Sequence, residues 1–258
     1  MPAQHRDQAV IVTGASSGIG KSIAQRLGTS GYDVWLVGRS VEGLNATAAD
    51  IARAGGPTAH CESLDIAKPG ALAELVLRVG ELHPHLFALI NNAGIMHPES
   101  VMTGSPQRWR AMFDVNVLAP AEACRAAVQV MRRQGGPGHL INVSSVAAHW
   151  DTGGPYGASK RALEMISSTL RGELERDNIR ITTVVPGGFA TQLGRDFEPE
   201  SFERIAESMR SKGLEPGVSE LTVGDPDHIA RAVRYILEQP VSINIERIVI
   251  RPPVDTTY

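Results

Sequence analysis

Tyr156 and Lys160 stand four residues apart in the stretch PYGASK. Both side chains, when free, titrate near pH ~10, too high for ready proton traffic at neutrality. On a helix, residues i and i+4 share one face about a turn apart. There a lysine ammonium favours the phenolate and draws the tyrosine pKa down, so that the phenol can give or take a proton. The same spacing also arises by chance in a chain with 4 Tyr and 25 Lys plus Arg. The rest of the sequence must decide between these readings.

A second chemical stretch is TGASSGIG at 13–20, directly after a short apolar run and before a helix-like pattern. Gly14, Gly18 and Gly20 permit a tight turn and close approach of backbone to a ligand, with Ser16, Ser17 and Ile19 in the same loop. The helix start that follows offers free N–H groups and a positive dipole end to a phosphate. The spacing is G-x-x-x-G-x-G, and its place between strand and helix is what a dinucleotide loop requires. A second apolar run ends in Gly38-Arg39-Ser40. A dinucleotide fold that binds ribose hydroxyls there uses an acid, and none is present. The Arg39 guanidinium suits a 2′-phosphate by charge and by fork geometry. A solvated strand-end arginine is the structural alternative, but the missing acid favours NADP(H) over NAD.

These groups need a frame. Buried-type β runs are expected at 9–14, 33–38, 86–94, 139–145, 180–188 and 246–250, with a weaker one at 58–65. Helical patterns lie between them at 18–30, 41–54, 70–81, 106–134, 155–177 and 226–238. Such alternation predicts an α/β, Rossmann-type doubly wound sheet of seven parallel strands with helices on both faces. No linker or repeat divides the chain, so residues 1–258 read as one domain. The Gly/Pro- and charge-rich stretch 192–224 reads as a substrate lid.

Composition narrows the classes. A formal net charge of −3 gives no basic field for nucleic acid or for acidic membranes. No run of ~18 apolar residues suggests a membrane span. The N-terminus lacks a charged-then-apolar signal pattern. Cys61 and Cys124 show neither metal nor redox spacing. They read as small buried residues in a reducing, cytoplasmic setting. His83 and His85 are spaced like metal ligands but read as a solvated turn, and no metal is expected.

TGASSGIG, NNAG at 91–94, Asn116, the Ser144-Ser145 pair and Tyr156-Gly-Ala-Ser-Lys160 occur in an order that resembles the short-chain dehydrogenase/reductase family. PGGFAT at 186–191 resembles its Pro-Gly stretch beside the nicotinamide. The carboxyl end, AVRYILEQP and IERIVIRPP, resembles a narrower NADP-linked branch that includes clavulaldehyde reductase and serine or 3-hydroxy acid dehydrogenases. The resemblance implies an NADP(H)-dependent enzyme interconverting a carbonyl and an alcohol. It makes Tyr156 the general acid or base and Lys160 the group that lowers its pKa and holds the nicotinamide ribose. Ser145 would bond the substrate oxygen, and Asn116 would hold a water linking Lys160 to solvent. Asn92, Ala93 and Gly94 would line the adenosine side, with Asp65 and Ile66 at the adenine. Pro186, Gly187 and Thr191 would border the nicotinamide and diphosphate. The equivalent helices of relatives pair between subunits, implying a homodimer or homotetramer.

Ser145 precedes Tyr156 by 11 residues, a shorter gap than the family usually shows, which shortens the pocket-walling loop 147–155 and leaves Ser144 as a second candidate. Met96, His97, His149, Trp150 and Phe189 are candidates for the substrate pocket. Phe202 and Met209 are candidates for the lid's apolar face, and Tyr258 for a tail docking on a neighbouring subunit. Two other readings are an NAD-dependent alcohol dehydrogenase of the same fold and a silent NADP-sensing protein. Intact Ser145, Tyr156, Lys160 and Asn116 argue against the silent one.

Overall fold

The computed structural model describes residue 5, residues 7–193, 222–240 and 242–254, and isolated positions 203, 206, 207, 210 and 213. Most of the expected lid, together with Phe202, Met209 and Tyr258, lies outside the described residues.

Seven parallel strands form one sheet in the order β3-β2-β1-β4-β5-β6-β7. They are β1 (Gln8–Thr13), β2 (Asp33–Gly38), β3 (His60–Ser63), β4 (His85–Asn91), β5 (Gly138–Val143), β6 (Ile179–Pro186) and β7 (Arg247–Ile250). The central strands are runs of Val, Ile, Leu and Ala because both of their faces are covered. One apolar layer, with Leu75, Val79, Ala127 and Met131, lies under α3 (Ala71–Leu82) and α5 (Ala119–Gln134). The other, with Ile23, Leu27, Ile229 and Val233, lies under α1 (Gly18–Thr29) and α7 (Pro226–Leu237). α2 (Val41–Arg53) begins at Ser40, whose hydroxyl accepts from Gly43 N at 3.1 Å and so satisfies one free amide of the first turn.

The strand order steps outward from β1 in both directions. That leaves a crevice at the carboxyl ends of β1 and β4, where the loops diverge. Register near this crevice is pinned by polar side chains. Asn91 faces Asn142 across β4 and β5, and its Nδ2 donates to Asn142 Oδ1 at 2.9 Å. Asn142 Nδ2 donates in turn to Ser167 Oγ at 2.8 Å, all three side chains being buried.

The helix expected over 106–134 is interrupted. α4 (Pro106–Phe113) passes into a π-helical turn, Asp114–Leu118, before α5. Pro120 explains the break. It has no N–H for the carbonyl of Asn116 four residues back, and its ring crowds that carbonyl in an α-helix. The wider turn relieves the crowding, and Ala119 N donates to Asp114 O five residues back.

Two expectations need correction. Cys61 is exposed, because β3 is an edge strand and the side chain points off the sheet; only Cys124 is buried. His83 and His85 are not a solvated turn. His83 sits beside Asp33, with Nδ1 at 3.4 Å from Oδ2, and its Nε2 receives the indole N–H of Trp35 at 3.0 Å. That donation puts the His83 proton on Nδ1, facing Asp33. His60 Nε2 lies 2.9 Å from the other Asp33 oxygen. The three groups bring metal-type atoms within 4.8 Å of one another, but the indole N–H stands where a ligating histidine needs an acceptor for its second nitrogen. His85 turns the other way, toward Phe87.

Candidate active site

At the end of β1 the chain must turn sharply into α1. Gly14 (φ +69°) and Gly18 (φ +53°) occupy left-handed backbone that a side chain disfavours. A Cβ at Gly20 would run into the carbonyl of Gly14 and the Asn92 amide. The loop therefore presents bare backbone at the amino end of α1, a cradle for a phosphate. NNAG is stitched to it: Asn92 Nδ2 donates to Thr13 O at 2.9 Å, and the amides of Asn92 and Ala93 both donate to Thr13 Oγ1 at 3.0 Å.

A cleft of about 1310 Å³ opens above these loops. Gly14, Ser16, Ser17, Gly18 and Ile19 line it, as do Arg39, Ser40, Asp65 and Ile66 at one end and Asn92, Ala93 and Gly94 in the middle. Ser145, Tyr156, Lys160, Pro186, Gly187 and Thr191 line the other end, with Met96, His149, Trp150 and Phe189. Arg39 and Ser40 are exposed there. Gly20, Asn116 and His97 do not line the cleft. Gly20 acts through packing. Asn116 is buried, and its amide hydrogens reach Ile95 O at 2.9 Å and Ser159 Oγ at 3.0 Å while its Oδ1 accepts from Ile95 N at 2.9 Å. It clamps the segment after NNAG to the helix that carries Tyr156. His97 is half-buried, outside the cleft wall.

That helix, α6 (Gly154–Glu173), begins directly after the short loop. A 3-10 turn, Val146–His149, and Gly154 in left-handed backbone (φ +55°) fold the loop tightly back. Gly157 lets Ala147 O approach the helix, where a Cβ would collide. The loop's shortness is thus absorbed by glycines, which delivers Tyr156 to the cleft one turn into α6.

Ser145 and Tyr156 stand together on the cleft wall, with Ser145 Oγ accepting from Ala147 N at 3.2 Å, whereas Ser144 Oγ donates to Glu164 Oε1 at 2.6 Å. Lys160 Nζ is buried and donates to Val143 O at 3.0 Å. A Cβ on Gly94 would stand 3.2 Å from that ammonium nitrogen and 3.1 Å from Asn116 Oδ1, tight enough that both would have to give by a few tenths of an ångström. Burial pushes the Tyr156 phenol up to about 12, and the nearby Ser145 hydroxyl opposes this only in part. Burial also pulls Lys160 down to about 8. In the polypeptide alone burial dominates at both groups and disfavours both charged forms, and the expected lowering of Tyr156 by Lys160 does not enter. Burial thus keeps the phenol in its neutral form near neutral pH.

Glu164 and Arg247 were not foreseen. Glu164 has one legible signal, since it continues the i, i+4 series Tyr156, Lys160, Glu164 on one face of α6. Arg247 has none, because β7 reaches the cleft only through the sheet order.

A short chain dehydrogenase family model matches residues 8–239. Cattle dehydrogenase/reductase SDR family member 11 is 33% identical over 98% of this chain and 98% of its own. A metagenomic short-chain oxidoreductase solved with NADP is 30% identical, with a TM-score of 0.77 over 97% of this chain and 99% of that one. The L-sorbose reductase of Gluconobacter frateurii, solved with NADPH and L-sorbose, is 25% identical, with a TM-score of 0.80 and 97% of both chains covered.

Proposed function

Because the chain belongs to the short-chain dehydrogenase/reductase family of oxidoreductases, we propose that it is an NADP(H)-dependent enzyme interconverting an aldehyde, ketone or 3-oxo acid with its alcohol. One observation carries this reading: Ser145 and Tyr156 side by side on the cleft wall, with buried Lys160 one turn on. The glycine cradle and Arg39 at the far end of the cleft fit a phosphorylated dinucleotide, and NADP or NADPH in the two solved relatives supports that choice.

A bound nicotinamide supplies the hydride. The chain supplies the rest. The Ser145 hydroxyl holds the substrate oxygen and steadies the negative charge that grows on it. Tyr156, kept neutral by burial, donates its proton to that oxygen. Lys160 holds its ammonium beside the same wall and favours the phenolate left behind. In oxidation the phenolate takes the proton back.

The narrower branch containing clavulaldehyde reductase and serine or 3-hydroxy acid dehydrogenases remains the substrate reading, supported by the carboxyl-end resemblance. Residues 1–258 are taken as one domain, since the sheet draws strands from residue 8 to residue 250. Exposed Phe113, Leu118 and Met165 on the α4–α5 and α6 helices support pairing of copies. Free Cys61 and Cys124 support a cytoplasmic setting. Among the described residues no helix is long and apolar enough to cross a membrane.

The test is NADPH consumption across a panel of aldehydes, ketones and 3-oxo acids, with Tyr156→Phe alongside. Turnover should fall about 10²- to 10⁴-fold in the variant, with NADPH affinity retained. Equal turnover in the variant, or none with any carbonyl despite tight NADPH binding, would overturn the reading.

A further inference from the structure

The wall of the cleft beyond Ser145 carries more positive charge than its carboxylate can balance. Glu164 is almost buried, with 9% of its side chain exposed, and both of its oxygens are engaged. Oε1 accepts from Ser144 Oγ at 2.6 Å. Oε2 lies 2.9 Å from His149 Nε2 and 3.5 Å from Arg161. Arg247 Nε is 4.0 Å from the same oxygen, beyond hydrogen-bond reach. One carboxylate thus faces two guanidinium groups.

His149 cannot resolve the excess. Arg161 points a donor at Nδ1 from 3.3 Å, and Arg247 points a donor at Nε2 from 2.8 Å. Arginine is donor-only, and a neutral imidazole has one accepting nitrogen. Whichever nitrogen carries the proton, one guanidinium faces an N–H. Only the proton on Nε2 also satisfies Glu164 Oε2, and then Arg247 is the group left facing a donor. Arg247 and His149 line the same cleft as Ser145 and Tyr156; Arg161 does not. The uncompensated donor set is therefore the one turned toward substrate.

We infer that Arg247, steered by His149 and Glu164, binds a carboxylate of the substrate, so that the carbonyl compound reduced here is an oxo acid. The inference rests on the reductase reading above. Within the Glu164–Arg161–Arg247 cluster the surplus is one positive charge, which matches a carboxylate monoanion better than a phosphate dianion. A guanidinium can meet such an anion with two parallel N–H groups. Arg247 is a specificity residue in this account, and Glu164 and His149 position it.

The test compares 3-oxo acids of four to eight carbons with their methyl esters, using NADPH, in the wild type, Arg247→Gln and Arg247→Lys. The wild type should prefer acid to ester about tenfold or more in kcat/KM. Arg247→Gln should bring that ratio to about one, and Arg247→Lys, which keeps the charge without the fork, should hold an intermediate ratio. A parallel calorimetric titration of the NADP⁺-loaded protein with the 3-hydroxy acids and their esters reads binding without turnover. Brisk ester turnover without acid preference overturns the inference and leaves the reductase reading standing. Absence of turnover with all carbonyls overturns the reductase reading, and the titration still decides whether Arg247 holds a carboxylate. A ratio unchanged in Arg247→Gln, or a preference for dihydroxyacetone phosphate over the acids, also overturns the inference.

Discussion

The two ends of the sheet are built from the same strands and treated in opposite ways. At the carboxyl end the chain keeps bare glycine backbone, exposed Arg39 and a cleft. At the amino end it closes the strands with stacked rings. His5, Tyr32 and Phe87 stack in series, and Phe87 meets His139 at 5.0 Å between centroids. Trp35 stacks on His60 at 4.5 Å, and Arg78 caps the indole. Loops at the open end have to approach a ligand, so packing there is deliberately incomplete. Nothing has to enter the other end, so large flat side chains fill it. Stability and chemistry are thus segregated along each strand.

The division should show first as large stability effects at the closed end. Trp35→Ala removes a nearly buried indole and should lower unfolding free energy by about 3–5 kcal/mol. Urea denaturation measures this, while kcat per folded molecule stays within about twofold. A matching loss of kcat would break the segregation.

Acidity tests the same end. Burial and the Arg180 charge depress His139 to about 4, below its unfolded value near ~6.5. A depressed histidine stays neutral when folded and takes a proton more readily when unfolded. Its neutral-state contribution is complete above ~6.5 and is lost progressively as pH falls toward about 4. The expected fall is roughly 3 kcal/mol at most, and His83 and His85, also depressed by burial, act in the same direction. Melting curves from pH 7 to pH 4 would read it, and His139→Gln should flatten the slope.

The smallest expected effect lies at the open end. Arg39→Ala should weaken NADPH binding about 10- to 100-fold through one lost charge-assisted contact, with NADH binding little changed and melting temperature unmoved. Fluorescence titration with both cofactors decides it; equal losses for the two would detach Arg39 from the 2′-phosphate.

Much of this was legible in the sequence because it is local. The strands read as apolar runs, the glycine loop as a turn between strand and helix, and Tyr156 with Lys160 as one helical face. What escaped depends on pairing across the sheet. Asp33, His60 and His83 meet only because β2 and β3 are neighbours and α3 ends beside them. Arg247 reaches His149 across 98 residues. The π turn was hidden for another reason: the helical pattern runs unbroken through 106–134, and only the backbone shows how the turn before Pro120 widens.

The Asn91–Asn142–Ser167 chain has a consequence for how the sheet assembles. A parallel strand of Val, Ile and Leu that slips by two residues still hides its apolar faces, so hydrophobicity alone would tolerate the error. Here such a slip would strand the amides in an apolar layer, at about 1–3 kcal/mol for each unpaired group. The asparagines thus penalise misregister in the strands that lead into Ser145 and the NNAG turn, where the apolar residues alone would not.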